Sequence, residues 1–217
     1  MSEHTLPEKD QALYNALSLV ANYFYPPEHE LVESLQALPE VAGLLDPEMA
    51  DAAGRMLAAF QEQSLDELLK EYSRLFIGPF QLEAPPFGSI YLESEGRLMG
   101  QSTAEVKRIY QECGLDISPD FQSPPDHVAA ELEFVAYLGW QEKGSQDEEQ
   151  KRFYQEQRTL FLHRHIGYWF PLLADNIEKH TILAFYLELS RLTRQLLELA
   201  QAQAGLEAKC TANDELG

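Results

Sequence analysis

Half of the chain's twelve prolines fall in one stretch, Glu71 to His127, which is about a quarter of the 217 residues. Pro79, Pro85, Pro86, Pro119, Pro124 and Pro125 each fix φ and remove a backbone donor, so no helix runs unbroken through them. The same stretch holds Phe76, Phe80, Phe87, Tyr91 and Tyr110. A long non-helical segment this rich in aromatic side chains is functional or covers a core; disordered segments are poor in such residues.

On either side the pattern is helical. Leu13, Leu17, Val20, Ala21 and Phe24 recur at the spacing of one helix face and predict a helix over about 8–25, closed by Pro26-Pro27. Leu31, Leu35 and Leu38 predict a second, with Pro39 and Gly43 as its exit. Asp46-Pro47 opens a third, to about 63, as an N-cap followed by a first-turn proline. Ser64 with Glu67 three residues on is a capping box, and that helix stops at Gly78-Pro79. Further helices are expected from Ser102 to Gly114 and from a Ser123-Pro124-Pro125-Asp126 entry, with Asp126 in the first turn and Val128, Leu132, Val135 and Leu138 as the buried stripe. Three more follow over about 147–166, 168–179 (Pro171 in its first turn) and 181–204. Ser89-Ile90-Tyr91-Leu92 is the only β-like run, too short for a sheet. The expectation is an all-α chain: a single globular helical domain of roughly nine helices over 1–204, with a long proline-rich loop and a flexible C-terminal tail over 205–217.

Thirty-six acidic residues face sixteen basic ones, a formal net charge of −20 with most of the excess in the first 96 residues. Such a surface repels nucleic acid and anionic membrane and favours basic partners. No apolar run reaches the roughly 18 residues of a membrane span, and the N-terminus lacks a secretory pattern, so a cytoplasmic protein is expected. Cys113 and Cys210 stand far apart without a CxxC, which signals neither a zinc site nor a redox pair.

Few constellations suggest chemistry. Asp126-His127 is a carboxylate beside an imidazole, and His127 and Glu131 share a helix face. A small hydrolase using His127 with Asp126 or Glu131 would need a nucleophile or a metal as well, and two ligands do not make a zinc site. The competing readings are a capping role for Asp126 and a first-turn surface position for His127. His163 and His165 lie two apart on a helix and cannot converge on one metal. No phosphate-binding glycine loop and no GxSxG elbow occurs, which counts against a guanine-nucleotide switch. Pro85-Pro86-Phe87 with Tyr91, following Leu75-Phe76, is a proline-stiffened aromatic surface of the kind that binds apolar segments of other chains.

At these residues the chain resembles a known family. Glu71-Tyr72-x-x-Leu75-Phe76-x-Gly78-Pro79, then Ala84-Pro85-Pro86-x-Gly88-Ser89-x-Tyr91, then Pro125-Asp126-His127 with Glu131-Leu132-x-Phe134, resemble the TorD/DmsD family, nearest its DMSO-reductase branch. The likeness runs from about residue 10 to 204. It implies a cytoplasmic chaperone, not an enzyme, with no cofactor or metal of its own. Its partners would be the twin-arginine leader and the body of a molybdopterin-dependent reductase, held back from export until the cofactor is inserted. Weak guanine-nucleotide binding and helix exchange between protomers are further family traits, and the loop at 114–124 is this chain's candidate hinge. Carried over, Leu75, Phe76, Pro85, Pro86, Phe87 and Tyr91 would line the apolar part of a leader groove, with Asp126 and His127 as its polar contacts. Where close relatives carry Trp in the loop, this chain has Phe87 and Tyr91.

Overall fold

The computed structural model describes residues 6–78, 82–94, 96–118 and 123–214. Among these residues every regular element is helical. They are α1 (Leu6–Asn22), α2 (Leu31–Gly43), α3 (Pro47–Glu62), α4 (Leu65–Tyr72) continuing as a π-helical turn (Ser73–Ile77), α5 (Gly88–Leu92), α6 (Gln101–Glu112), α7 (Val128–Gly144), α8 (Glu148–Arg164), α9 (Ile166–His180) and α10 (Ala184–Asp214). The all-α class stands, and the expected proline-rich loop contains one short extra helix, α5. None of the described helices is long and apolar enough to cross a membrane.

The caps expected for α3 and α4 form. Asp46 accepts from the Glu48 amide at 2.7 Å, and Pro47 opens α3. Ser64 Oγ accepts from the Glu67 amide while Glu67 accepts from the Ser64 amide at 2.8 Å, so two orphan donors of α4 are satisfied reciprocally.

Helix α7 lies at the centre, between α1 and α8, and α1 also meets α2 and α10. Its predicted stripe is buried, but so are Ala129, Phe134, Ala136 and Gly139. A helix covered on more than one face loses the one-sided pattern. Its approach to α1 depends on Gly139: a Cβ there would fall 2.4 Å from ring carbons of Tyr14. Beside this contact Trp140 Nε1 donates to Asn15 Oδ1 at 3.3 Å and Lys143 pairs with Asp10 at 3.0 Å. On the α8 side, the buried Arg158 guanidinium donates twice to Glu142, at 3.0 and 2.7 Å.

The chain departs from the sequence expectation at five helix boundaries. Pro39 lies inside α2, which runs on to Gly43. A lost backbone bond is outweighed where Leu35, Leu38 and Ala42 are packed into the core. The Ser89–Leu92 run is helical, not β-like. Pro171 sits in the interior of α9, which begins at Ile166. Asp126 lies outside α7, whose N-cap is His127. Gly205 does not end the last helix, which continues to Asp214; a lone glycine weakens a helix without necessarily stopping it.

Gly139→Ala should destabilise the fold by about 1–3 kcal/mol, because Tyr14 is fully buried and cannot swing clear. Urea unfolding at equilibrium measures it, and a change under about 0.5 kcal/mol would mean that α1 and α7 slide apart freely.

Candidate functional site

The proline-rich segment is fastened at both ends by backbone bonds. The π-helical turn closes with the Gly78 amide donating to Ser73 O at 2.6 Å, and Gly78 takes φ 51°, a conformation that favours glycine. The Leu75 carbonyl then accepts from the Ala84 amide at 2.9 Å. At the far end Phe87 and His127 form an isolated antiparallel bridge. The Gly88 amide donates to Asp126 O and the Val128 amide to Pro86 O, each at 2.9 Å. The two ends named from sequence, Leu75-Phe76 and Asp126-His127, are thus joined through Pro85-Pro86-Phe87.

Asp126 has a role that its position in the chain does not reveal. Helix α5 has Phe87 as N-cap and no cap from its own side chains. The Asp126 carboxylate supplies one, accepting from the Ser89 amide at 2.7 Å. His127 caps α7: its Nδ1 accepts from the Ala129 amide at 3.2 Å, which places any proton of the neutral ring on Nε2. The ring stacks on Tyr25 (centroids 5.4 Å, 8° between planes) and meets Phe87 edge-on at 5.4 Å. Burial pulls its pKa down to about 4, against the opposing pull of Asp126, so the imidazole is neutral at physiological pH.

Beneath the bridge Glu131 is fully buried, and its Oε2 accepts from Trp169 Nε1 at 2.9 Å. Burial holds its carboxyl well above the usual range; the Trp169 hydrogen bond opposes this and the Asp126 charge adds to it. Tyr91 stacks on Trp169 (5.6 Å, 12°) and accepts from Asn176 Nδ2 at 3.3 Å. A side chain at position 88 would strike Trp169 Nε1 at 2.8 Å, so Gly88 lets α5 sit on this pair.

Of the residues predicted to line a groove, Phe87 and Tyr91 are half-buried and reach the surface, while Pro85 and Pro86 are buried. Leu75 and Phe76 are core residues. Phe76 is enclosed by the rings of Phe24, Tyr72 and Tyr186. The expectation that these two open onto a groove is therefore corrected: a helix residue at the right spacing for a surface is drawn inward when aromatic neighbours surround it. His127 is likewise buried and not a surface position. Asp126, His127 and Glu131 each hold a separate partner, in Ser89, Ala129 and Trp169, so they do not form the acid–base pair that the hydrolase alternative requires.

Sequence reasoning missed Tyr25 and Trp169. Tyr25 stands beside Pro26-Pro27, a place where an aromatic side chain signals nothing without its distant partner. Trp169 is a core residue, and its pairing with a carboxyl 38 positions away leaves no local pattern to read.

The two buried groups give opposite pH dependences. For His127 the unfolded chain binds a proton below about 6.5 that the folded chain refuses until about 4, so stability falls as pH drops through that window. For Glu131 the unfolded chain loses its proton above about 4.5 while the folded chain keeps it, so stability falls as pH rises. Urea unfolding between pH 4 and 8 should show the acid-side slope reduced in His127→Asn. The alkaline-side slope should be reduced in Glu131→Gln, which keeps an acceptor for Trp169. Unchanged slopes in both variants would place the ionisation elsewhere.

Comparison with known proteins bears directly on this site. Residues 42–175 match the family model described as nitrate reductase delta subunit. The chain is 33% identical to the Tat proofreading chaperone DmsD of Salmonella typhi over 204 residues, 93% of this chain and 94% of the other. It is 25% identical to the chaperone protein TorD of Vibrio parahaemolyticus over 196 residues, 85% of this chain and 89% of that one. Among solved structures, a protein of Archaeoglobus fulgidus described as a candidate redox enzyme maturation protein shares the fold, with a TM-score of 0.55 and 22% identity over 91% of this chain and 97% of that one. Both the bridge and the buried Glu131–Trp169 pair lie inside the matched span, and the chain belongs to the TorD/DmsD family of chaperones, which the nitrate reductase delta subunit model covers.

Proposed function

We propose that this chain is a cytoplasmic chaperone, not an enzyme, that binds the twin-arginine leader of a molybdenum-containing reductase and holds it back from export until the cofactor is inserted. The observation that carries the reading is the similarity to a Tat proofreading chaperone over nearly the whole of both chains. The site chemistry fits it. A twin-arginine leader is cationic and then apolar, and this chain offers a net charge of −20 and a rigid aromatic segment.

Within the predicted set the roles divide. Phe87 and Tyr91 are the side chains with surface to offer. Asp126 and His127 fix the backbone that presents them. Leu75, Phe76, Pro85 and Pro86 support that backbone from below. A binding segment already tied at both ends loses little entropy when it is occupied.

Calorimetry with synthetic twin-arginine leader peptides of molybdenum-containing reductases tests the reading. Phe87→Ala should weaken binding about tenfold or more while the far-UV circular dichroism of the native chain is kept; because the half-buried ring also packs edge-on against His127, the unfolding midpoint should fall as well. Raising salt should weaken the wild-type complex. A wild-type chain that binds no such leader at micromolar concentration would sink the proposal.

A further inference from the structure

A groove of about 320 Å³ is lined in part by Pro125, two residues before the bridge residue His127. Its walls are Tyr110, Leu115, Ile117, Pro125, Phe134 and Tyr137, and among the described residues no lysine or arginine lines it. Two carboxylates, Asp116 and Glu133, stand among these apolar walls. Among the described residues neither has a basic partner; Asp116 accepts only from the Ile117 amide, at 2.9 Å. Glu133 is exposed as a residue, yet burial against the groove pushes its carboxyl above the usual range.

The walls are built. Tyr110 Oη donates to Pro125 O at 3.1 Å and Tyr137 Oη to Cys113 O at 3.2 Å. The Tyr110 and Phe134 rings lie 4.5 Å apart. The turn after α6 closes with Gly114 at φ 79° and the Leu115 amide donating to Tyr110 O at 2.9 Å. That closure sets Leu115 over Tyr110. Pro125, which lines the groove, is the residue before the Asp126-His127 pair whose backbone holds Phe87.

Resting on the reading above, we propose that this groove takes the apolar stretch of the leader, with Asp116 and Glu133 facing its cationic end. The occupant is set by the lining: apolar walls that carry only negative charge favour an apolar segment joined to positive charge and disfavour an acidic one. The volume sits at the low end for ligand pockets, which suits a few side chains of a bound segment, not a folded domain. Phe87 and Tyr91 then contact one part of the leader and the groove another.

The test uses the full chain and a synthetic peptide with two adjacent arginines followed by about 12 apolar residues. A photo-reactive phenylalanine analogue stands in the apolar part. Ala130 is a half-exposed α7 residue lining the groove, so Ala130→Phe fills it from a position that the core does not need. The expected result is cross-linking to residues between 110 and 137, and about tenfold weaker binding by Ala130→Phe with an unaltered circular dichroism melt. Glu133→Lys should weaken binding of this peptide more than of one with glutamines in place of the arginines. If the wild type and Ala130→Phe bind alike while Phe87→Ala does not bind, the groove is not the site and the leader reading stands. If the wild type binds no peptide, that reading fails and takes the groove with it. If Ala130→Phe unfolds, the cross-links and Glu133→Lys decide: cross-links confined to 87–91 with an unchanged Glu133→Lys affinity overturn the inference. A groove variant that instead dissociates the free chain in sedimentation would also overturn it, by assigning this face to a second copy.

Discussion

Everything distinctive in this chain hangs on a pairing of one residue with one residue. Phe87 and His127 make the only β-type bridge among the described residues, and two helices begin from it. The exchange is reciprocal. Pro86, which has no amide to donate, offers its carbonyl to Val128, the first residue of α7. Asp126 offers its carbonyl to Gly88, the first residue of α5, and its carboxylate to Ser89, the second. Each helix start has orphan amides, and each is satisfied by the segment leading into the other. Both N-cap residues are extended, as a bridge requires. Prolines on either side keep that extended geometry from relaxing into helix.

What could be read from the sequence follows the same division between local and distant physics. The caps of α3 and α4 depend on residues two or three apart, and Asp46, Ser64 and Glu67 make the bonds that their order predicts. The apolar spacing of Leu13, Leu17, Val20 and Phe24 placed all four in the core. Asp126 was legible as a capping residue but not as the cap of a helix 37 positions away. Pro39 was misread because a local stop signal yields to the packing of Leu35 and Leu38. Phe76 was misread in the opposite sense: its motif suggested a contact surface, and only the three rings around it show that the side chain is already occupied.

The motif residues also separate into fastening and presenting roles. Glu71 is buried, yet its carboxyl stays below the usual range: burial pushes it up, and hydrogen bonds from Arg74, the Ile182 amide and Thr181 outweigh that. It therefore ties the α4 end to the connection between α9 and α10 as a charged group. Glu131 has one tryptophan N–H in place of those donors, and burial prevails. Two buried glutamates in one motif set are thus shifted in opposite directions, and the number of donors aimed at each decides which.

That contrast bears on how a strongly acidic chain can hold an apolar contact surface. A charged carboxylate directly under Phe87 and Tyr91 would draw water beneath the rings that have to stay dry. Burial favours the neutral form of Glu131, and its Oε2 receives the Trp169 N–H that holds the indole against Tyr91. A neutral His127 stands on the Phe87 side, where the imidazole lies between two aromatic rings. Asp116 and Glu133, the carboxylates that line the neighbouring groove, are by contrast exposed as residues. At the proposed contact, aromatic side chains thus stand over buried polar groups that burial shifts toward their neutral forms, although the sequence interleaves both kinds of residue.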